Sequence, residues 1–137
     1  MRYYAVIDTN VLVSALLRFT SVPGIIAQEA LAGRIVPLLN DEILREYRDV
    51  LSRKKFQFDR SAVEALINGM IKRGIFVDAA PTDEPILDPK DAVFYEVVME
   101  HRKGDEAYLV TGNLKHFPAK HFIVTPREML EIIENQE

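Results

Sequence analysis

Short apolar runs rich in β-branched and aromatic residues recur at Tyr3 to Ile7, Ile35 to Leu39, Ile75 to Val77, Tyr108 to Val110 and Phe122 to Val124. Runs of this length, bounded by turn or cap residues, predict strands buried on both faces. Between them the spacing becomes helical. Thr9 to Leu17 follows the first run, and Pro23 to Ala32 opens after Ser21-Val22 and closes on Gly33, with proline early and glycine late. Asn40 is placed to cap a helix reaching about Ser52, and Ser61-Ala62-Val63-Glu64 reads as a capping box for a helix ending near Gly74. Asp91 to Arg102 is a further amphipathic stretch, and Thr125-Pro126-Arg127-Glu128 repeats the capping box before the last helix. Alternating strands and helices predict an α/β layer fold with a mostly parallel sheet. Ala79 to Pro89 (AAPTDEPILDP) carries three prolines and is expected to be a loop, of the kind that gathers at the carboxyl ends of strands, where ligands bind.

A length of 137 residues suits one domain spanning residues 1–137, and 48% hydrophobic with 28% charged residues is a composition that folds. The chain has no cysteine, so any metal must be held by oxygen or imidazole. No stretch reads as a signal peptide or reaches the length of a membrane span, so the expectation is a cytoplasmic protein with no membrane partner. The net charge of −4 argues against indiscriminate binding to nucleic acid but leaves room for a polyanion if cations are clustered.

The acids carry the chemistry. Asp8 stands where the first strand hands over to a helix, amid the apolar stretch AVIDTNVLVSAL. Taken alone, it reads equally well as a helix N-cap. Glu46 falls at the edge of the apolar stripe formed by Ile43, Tyr47, Val50 and Leu51; the plain alternative is a surface ion pair. Asp88 and Asp91 open the helix of LDPKDAVFYEVVME, where an aspartate also serves as a cap or a favourable charge on the helix dipole. Thr111 and Asn113 stand just past the fourth strand as Asp8 does past the first, although Gly112-Asn113 alone reads as a turn. Together these residues would aim oxygen ligands at one sheet edge, where carboxylates repel one another unless a cation neutralises them. Hard cations such as Mg²⁺ or Mn²⁺ prefer such ligands and keep waters available for activation.

The pieces VIDTNVLVSAL, EILREYRDVL, LDPKDAVFYEVVME, AYLVTGNLKHFP and IVTPREML, in this order, resemble the PIN-domain family, and within it the VapC-like ribonucleases that are toxins of toxin–antitoxin pairs. The resemblance implies a three-layer α/β/α sandwich with a five-stranded sheet in the order 3-2-1-4-5. It also implies cleavage of single-stranded or structured RNA with Mg²⁺ or Mn²⁺, an antitoxin laid over the acidic crevice, and a homodimer. Carried over by position, Asp8, Glu46 and Asp91 are the catalytic and metal-binding acids, with Asp88 and Asn113 as further metal ligands. Thr9, Asn10 and Thr111 are supporting groups. Many members have an aspartate where this chain has Asn113, so one ion rather than two is expected, and weak catalysis or a scaffold binding RNA or an antitoxin without turnover is the alternative.

Arg53-Lys54-Lys55, with Phe56 for base stacking, is the densest candidate RNA grip, and Lys115, His116 and Lys120 form a second. A solvated helix end explains the first group equally well, and a surface or packing role explains His116. An aspartyl-phosphate phosphatase would want an acid two residues after Asp8, where Asn10 stands. A phosphoacceptor signalling domain would need Asp78 as its acceptor.

Overall fold

The computed structural model describes residues 1–135. The chain runs β1 (Tyr3–Ile7), α1 (Thr9–Leu17), α2 (Val22–Ala32), β2 (Ile35–Leu39), α3 (Asp41–Leu51), α4 (Arg60–Arg73), β3 (Ile75–Phe76), α5 (Ala92–Arg102), β4 (Tyr108–Val110), β5 (Ile123–Val124) and α6 (Pro126–Asn135). Short 3-10 turns occupy Pro89–Asp91 and Leu114–His116. The strands form one sheet in the order β3-β2-β1-β4-β5, and every pairing is parallel.

Parallel neighbours need crossovers, so helices cover the sheet and its strands become apolar throughout. Ala5, Val6 and Ile7 of β1 and Leu38 and Leu39 of β2 are fully buried. Pro37 has no ladder donor to give; β3 pairs with β2 only from Leu38 onward, beyond that residue. Among the helices, α2 packs on β2, α4 and α6, while α5 packs on β1, β2, β4 and α3. The result is an α/β/α sandwich. The chain winds outward from β1 through β2 to β3, then returns to place β4 and β5 on the other side of β1. The carboxyl ends of β1 and β4 therefore flank the switch point, where ligands bind in open α/β sheets.

Several ends differ from the sequence reading. The fourth helix starts at Arg60 with Asp59 as its cap, whose Oδ1 accepts from the Ser61 N–H at 3.0 Å and the Ser61 hydroxyl at 2.9 Å. An acceptor two residues earlier thus displaces the box expected at Ser61. Strand β3 stops at Phe76 although the Val77 N–H still reaches Leu39 O at 2.8 Å, and β5 begins one residue after Phe122. Asp91 closes the first 3-10 turn instead of starting α5. No single helix among the described residues is long and apolar enough to cross a membrane.

The box before α6 forms as read. The Thr125 N–H donates to Glu128 Oε1 at 2.8 Å and the Glu128 N–H donates to Thr125 Oγ1 at 3.1 Å. Thr125→Ala is expected to cost about 1 kcal/mol, read as a lower urea midpoint with an unchanged slope.

Candidate active site

Asp8 is only 5% exposed, and it occupies the N-cap position of α1 without making a side-chain cap bond. Asp8 thus holds the N-cap position, as one reading had it, but does not spend its carboxylate on a cap bond. Its Oδ2 instead accepts from the Thr111 hydroxyl at 2.8 Å and from Asn10 Nδ2 at 3.2 Å, while its N–H donates to Val110 O at 2.9 Å. Thr111, itself fully buried, accepts the Asn113 N–H at 3.0 Å, and Asn10 Oδ1 accepts the Gly112 N–H at 3.0 Å. Two side chains thus stitch the end of β1 to the end of β4 around one carboxylate. Thr9 is buried too, and its hydroxyl has no hydrogen-bond partner.

Burial pushes the Asp8 carboxyl up to about 6; the Thr111 bond opposes this, and the charges of Asp91 and Glu46 add to it. Glu46, half-buried on α3, is raised by burial; Arg53 counters this, while Asp49 and Asp91 repel it. Asp91 is raised by burial and by Asp88, and lowered by His116. Three carboxylates, from just past β1, from α3 and from the 3-10 turn before α5, thus feel one another at the switch point.

Thr111→Val keeps the shape but removes the bond that favours the charged form of Asp8. It also leaves the Asn113 N–H without its acceptor. The expected outcome is a loss of about 1–3 kcal/mol in urea unfolding. The Asp8 carboxyl ¹³C resonance should titrate at a higher pH than in the parent protein.

A residue that sequence reasoning placed only in the apolar stripe turns out to fix this geometry. Tyr47, fully buried on α3, donates its phenol to Ile7 O at 2.5 Å, tying the helix that carries Glu46 to the residue before Asp8. The signal was available, since a tyrosine amid buried aliphatics needs an acceptor for its hydroxyl. His116, read from the sequence as part of an RNA grip or as a surface or packing histidine, also joins the site: its Nδ1 lies 3.2 Å from Asp91 Oδ2 and its Nε2 lies 2.9 Å from Asn113 Nδ2.

The donors fit a hard divalent cation in kind. All are carboxylate oxygens, one has its pKa raised chiefly by burial, and the charges repel. They are not closed around a point, however. No three His, Asp or Glu side chains among the described residues converge at metal-holding spacing. Glu46 and Asp91 are both half-buried, and Asp91 is contacted by His116.

The PIN domain family model matches residues 4–115, a span that runs from β1 to the turn after β4 and holds Asp8, Glu46, Asp91, Thr111 and Asn113. The chain belongs to the PIN-domain family. PIN domains are generally nucleases and typically use divalent metals. No curated protein and no solved structure matches the chain significantly.

Around the acidic edge of this PIN domain the other sequence candidates separate. Asp88 is exposed, and its Oδ1 accepts the Lys90 N–H at 3.0 Å, so it caps its own turn. Arg53 pairs with Asp49 at 3.2 Å yet stays near enough to lower the pKa of Glu46. Lys54 and Lys55 are exposed in the turn after α3. Phe56 is already engaged there: it stacks on Phe58 with centroids 5.2 Å apart, and the Lys55 ammonium lies 5.1 Å from its ring centre. Lys115 is exposed beside His116, and Lys120 pairs with Glu84 at 3.5 Å. Lys90, which the sequence reading passed over, contributes a cation near Glu46.

Proposed function

We propose that this PIN domain is a Mg²⁺- or Mn²⁺-dependent endoribonuclease hydrolysing RNA phosphodiesters, with Asp8, Glu46 and Asp91 as its catalytic carboxylates. The observation that carries the reading is the buried, under-compensated Asp8 at the switch point, facing two further repelling acids. When bound, the cation supplies Lewis acidity that polarises a phosphate oxygen and acidifies water for in-line attack. Asp8 is held by Thr111 and Asn10, and Asp91 is contacted by His116. The strand backbone is gripped by Arg53, Lys54 and Lys55 on one side and by Lys115 on the other.

The sequence resemblance to VapC-like ribonucleases extends the proposal to a toxin role, with a cognate antitoxin covering the acidic edge and a homodimer as the working form. Growth arrest on expression, relieved by co-expressing such a partner, tests that part. The second reading, a scaffold that binds RNA or an antitoxin without turnover, is favoured by Asn113 and by the unconverged carboxylates.

Labelled single-stranded and structured RNAs incubated with the protein and Mg²⁺ or Mn²⁺ separate the two readings. Cleavage that disappears both with EDTA and in Asp8→Asn is the expected result. Protein that binds the metal yet cuts none of the RNAs would leave the scaffold.

A further inference from the structure

We infer that His116 is the positioning residue for Asp91, and that Asn113 serves as the amide orienting that imidazole instead of ligating the metal. The inference rests on the metal reading of Asp8, Glu46 and Asp91. Asn113 and His116 lie three residues apart across the 3-10 turn Leu114–His116, which brings the Asn113 side chain onto the ring. Both ring nitrogens are then engaged, Nε2 by Asn113 Nδ2 at 2.9 Å and Nδ1 by Asp91 Oδ2 at 3.2 Å. One proton arrangement satisfies both contacts with a neutral ring: the amide N–H donates to Nε2, and the Nδ1–H donates to the carboxylate.

The need for this device follows from the charges. Asp91 stands among Asp88, Asp8 and Glu46, all of which push its carboxylate away, and the helix it precedes gives it no side-chain cap bond to hold it. His116 supplies a directional contact from the other side of the switch point. It takes Oδ2 and leaves Oδ1 for a cation. Here the amide is spent on the ring. The neutral residue in this place thus acts through Asp91, not on the metal.

Partners of metal ligands typically change affinity by about 10- to 100-fold when removed. Mn²⁺ titrations followed by the EPR signal of the free ion read this without any RNA. His116→Ala is expected to weaken Mn²⁺ binding at least about 10-fold, and Asn113→Ala to weaken it in the same direction by less. His116→Asn, whose amide nitrogen sits where Nδ1 does, is expected to restore most of the affinity. Melting of the metal-free variants, unchanged within a few degrees, shows that the loss is not unfolding. Wild-type binding that is lost in Asp8→Asn but intact in His116→Ala overturns the role of His116 and leaves the metal centre standing. Absence of Mn²⁺ binding by the wild type overturns both.

Discussion

Asp8→Asn is expected to melt higher than the wild type at pH 8 in EDTA, and at the same time to lose Mn²⁺ binding and RNA cleavage. The carboxyl titrates near 6 in the folded chain against an ordinary value of 3.8. Between those values the native state keeps a proton that the unfolded chain has released, so stability falls as pH rises through this window. Above about pH 6 the folded protein carries the whole cost of a buried charge. A displacement of this size corresponds to on the order of 3 kcal/mol for a group as enclosed as Asp8. The asparagine has no proton to lose, so its stability stays flat across the window, while below about pH 4 the two proteins converge. The expected gap at pH 8 is roughly 5 °C or more, measured by circular dichroism melts at pH 4 and pH 8. Added Mn²⁺ should raise the wild type and leave the variant unmoved. A variant that melts at or below the wild type at pH 8 would mean that the chain itself compensates the charge, and the case for a cation would lose its physical basis.

Tyr47→Ala is expected to cost about 3–5 kcal/mol, since it empties a fully buried aromatic site between α3, β1 and α5. Such a loss is a large part of the stability of a domain this size. Tyr47→Phe isolates the hydroxyl. It keeps the stacking on Phe94, whose ring centre lies 6.3 Å away, and leaves Ile7 O without its phenol donor, for about 1–3 kcal/mol. The phenylalanine should also weaken metal binding, because the lost bond is what fixes the helix of Glu46 against the residue before Asp8. Urea unfolding and Mn²⁺ titration of the two variants check this. Unchanged behaviour in Tyr47→Phe would show that packing alone sets the position of α3.

The strands were legible almost to the residue because a parallel sheet buries both faces, and continuous apolar runs such as YYAVI and IVPLL have few other uses. Helix starts were legible where one acceptor dominated, as at Asn40 and Thr125, and misread where two competed, as at Asp59 and Ser61. The site divided along the same line. Asp8 and Thr111 could be assigned to strand ends by local pattern, but the bond between them joins positions 103 apart and is a product of the topology. The contacts that join Asn113 to His116 and His116 to Asp91 carried no local sign in the sequence, because Asp91 lies 25 residues from His116. Phe56 read as a free stacking platform because sequence spacing does not reveal that Phe58 lies on it.

The link between Asp8 and Thr111 also sets when the centre comes into being. A chain leaving the ribosome has β1, β2 and α3 long before β4 exists, so Asp8 and Glu46 emerge early while Thr111, His116 and the covering strand are still to be made. Until β4 docks beside β1, Asp8 has neither the Thr111 hydroxyl nor the Val110 carbonyl as a partner. Closing this longest loop is the slow, costly step for a sheet whose first strand is central. An unfinished or truncated copy of the protein that lacks β4 is therefore expected to hold Asp8 and Glu46 without the Thr111 bond that places the carboxylate.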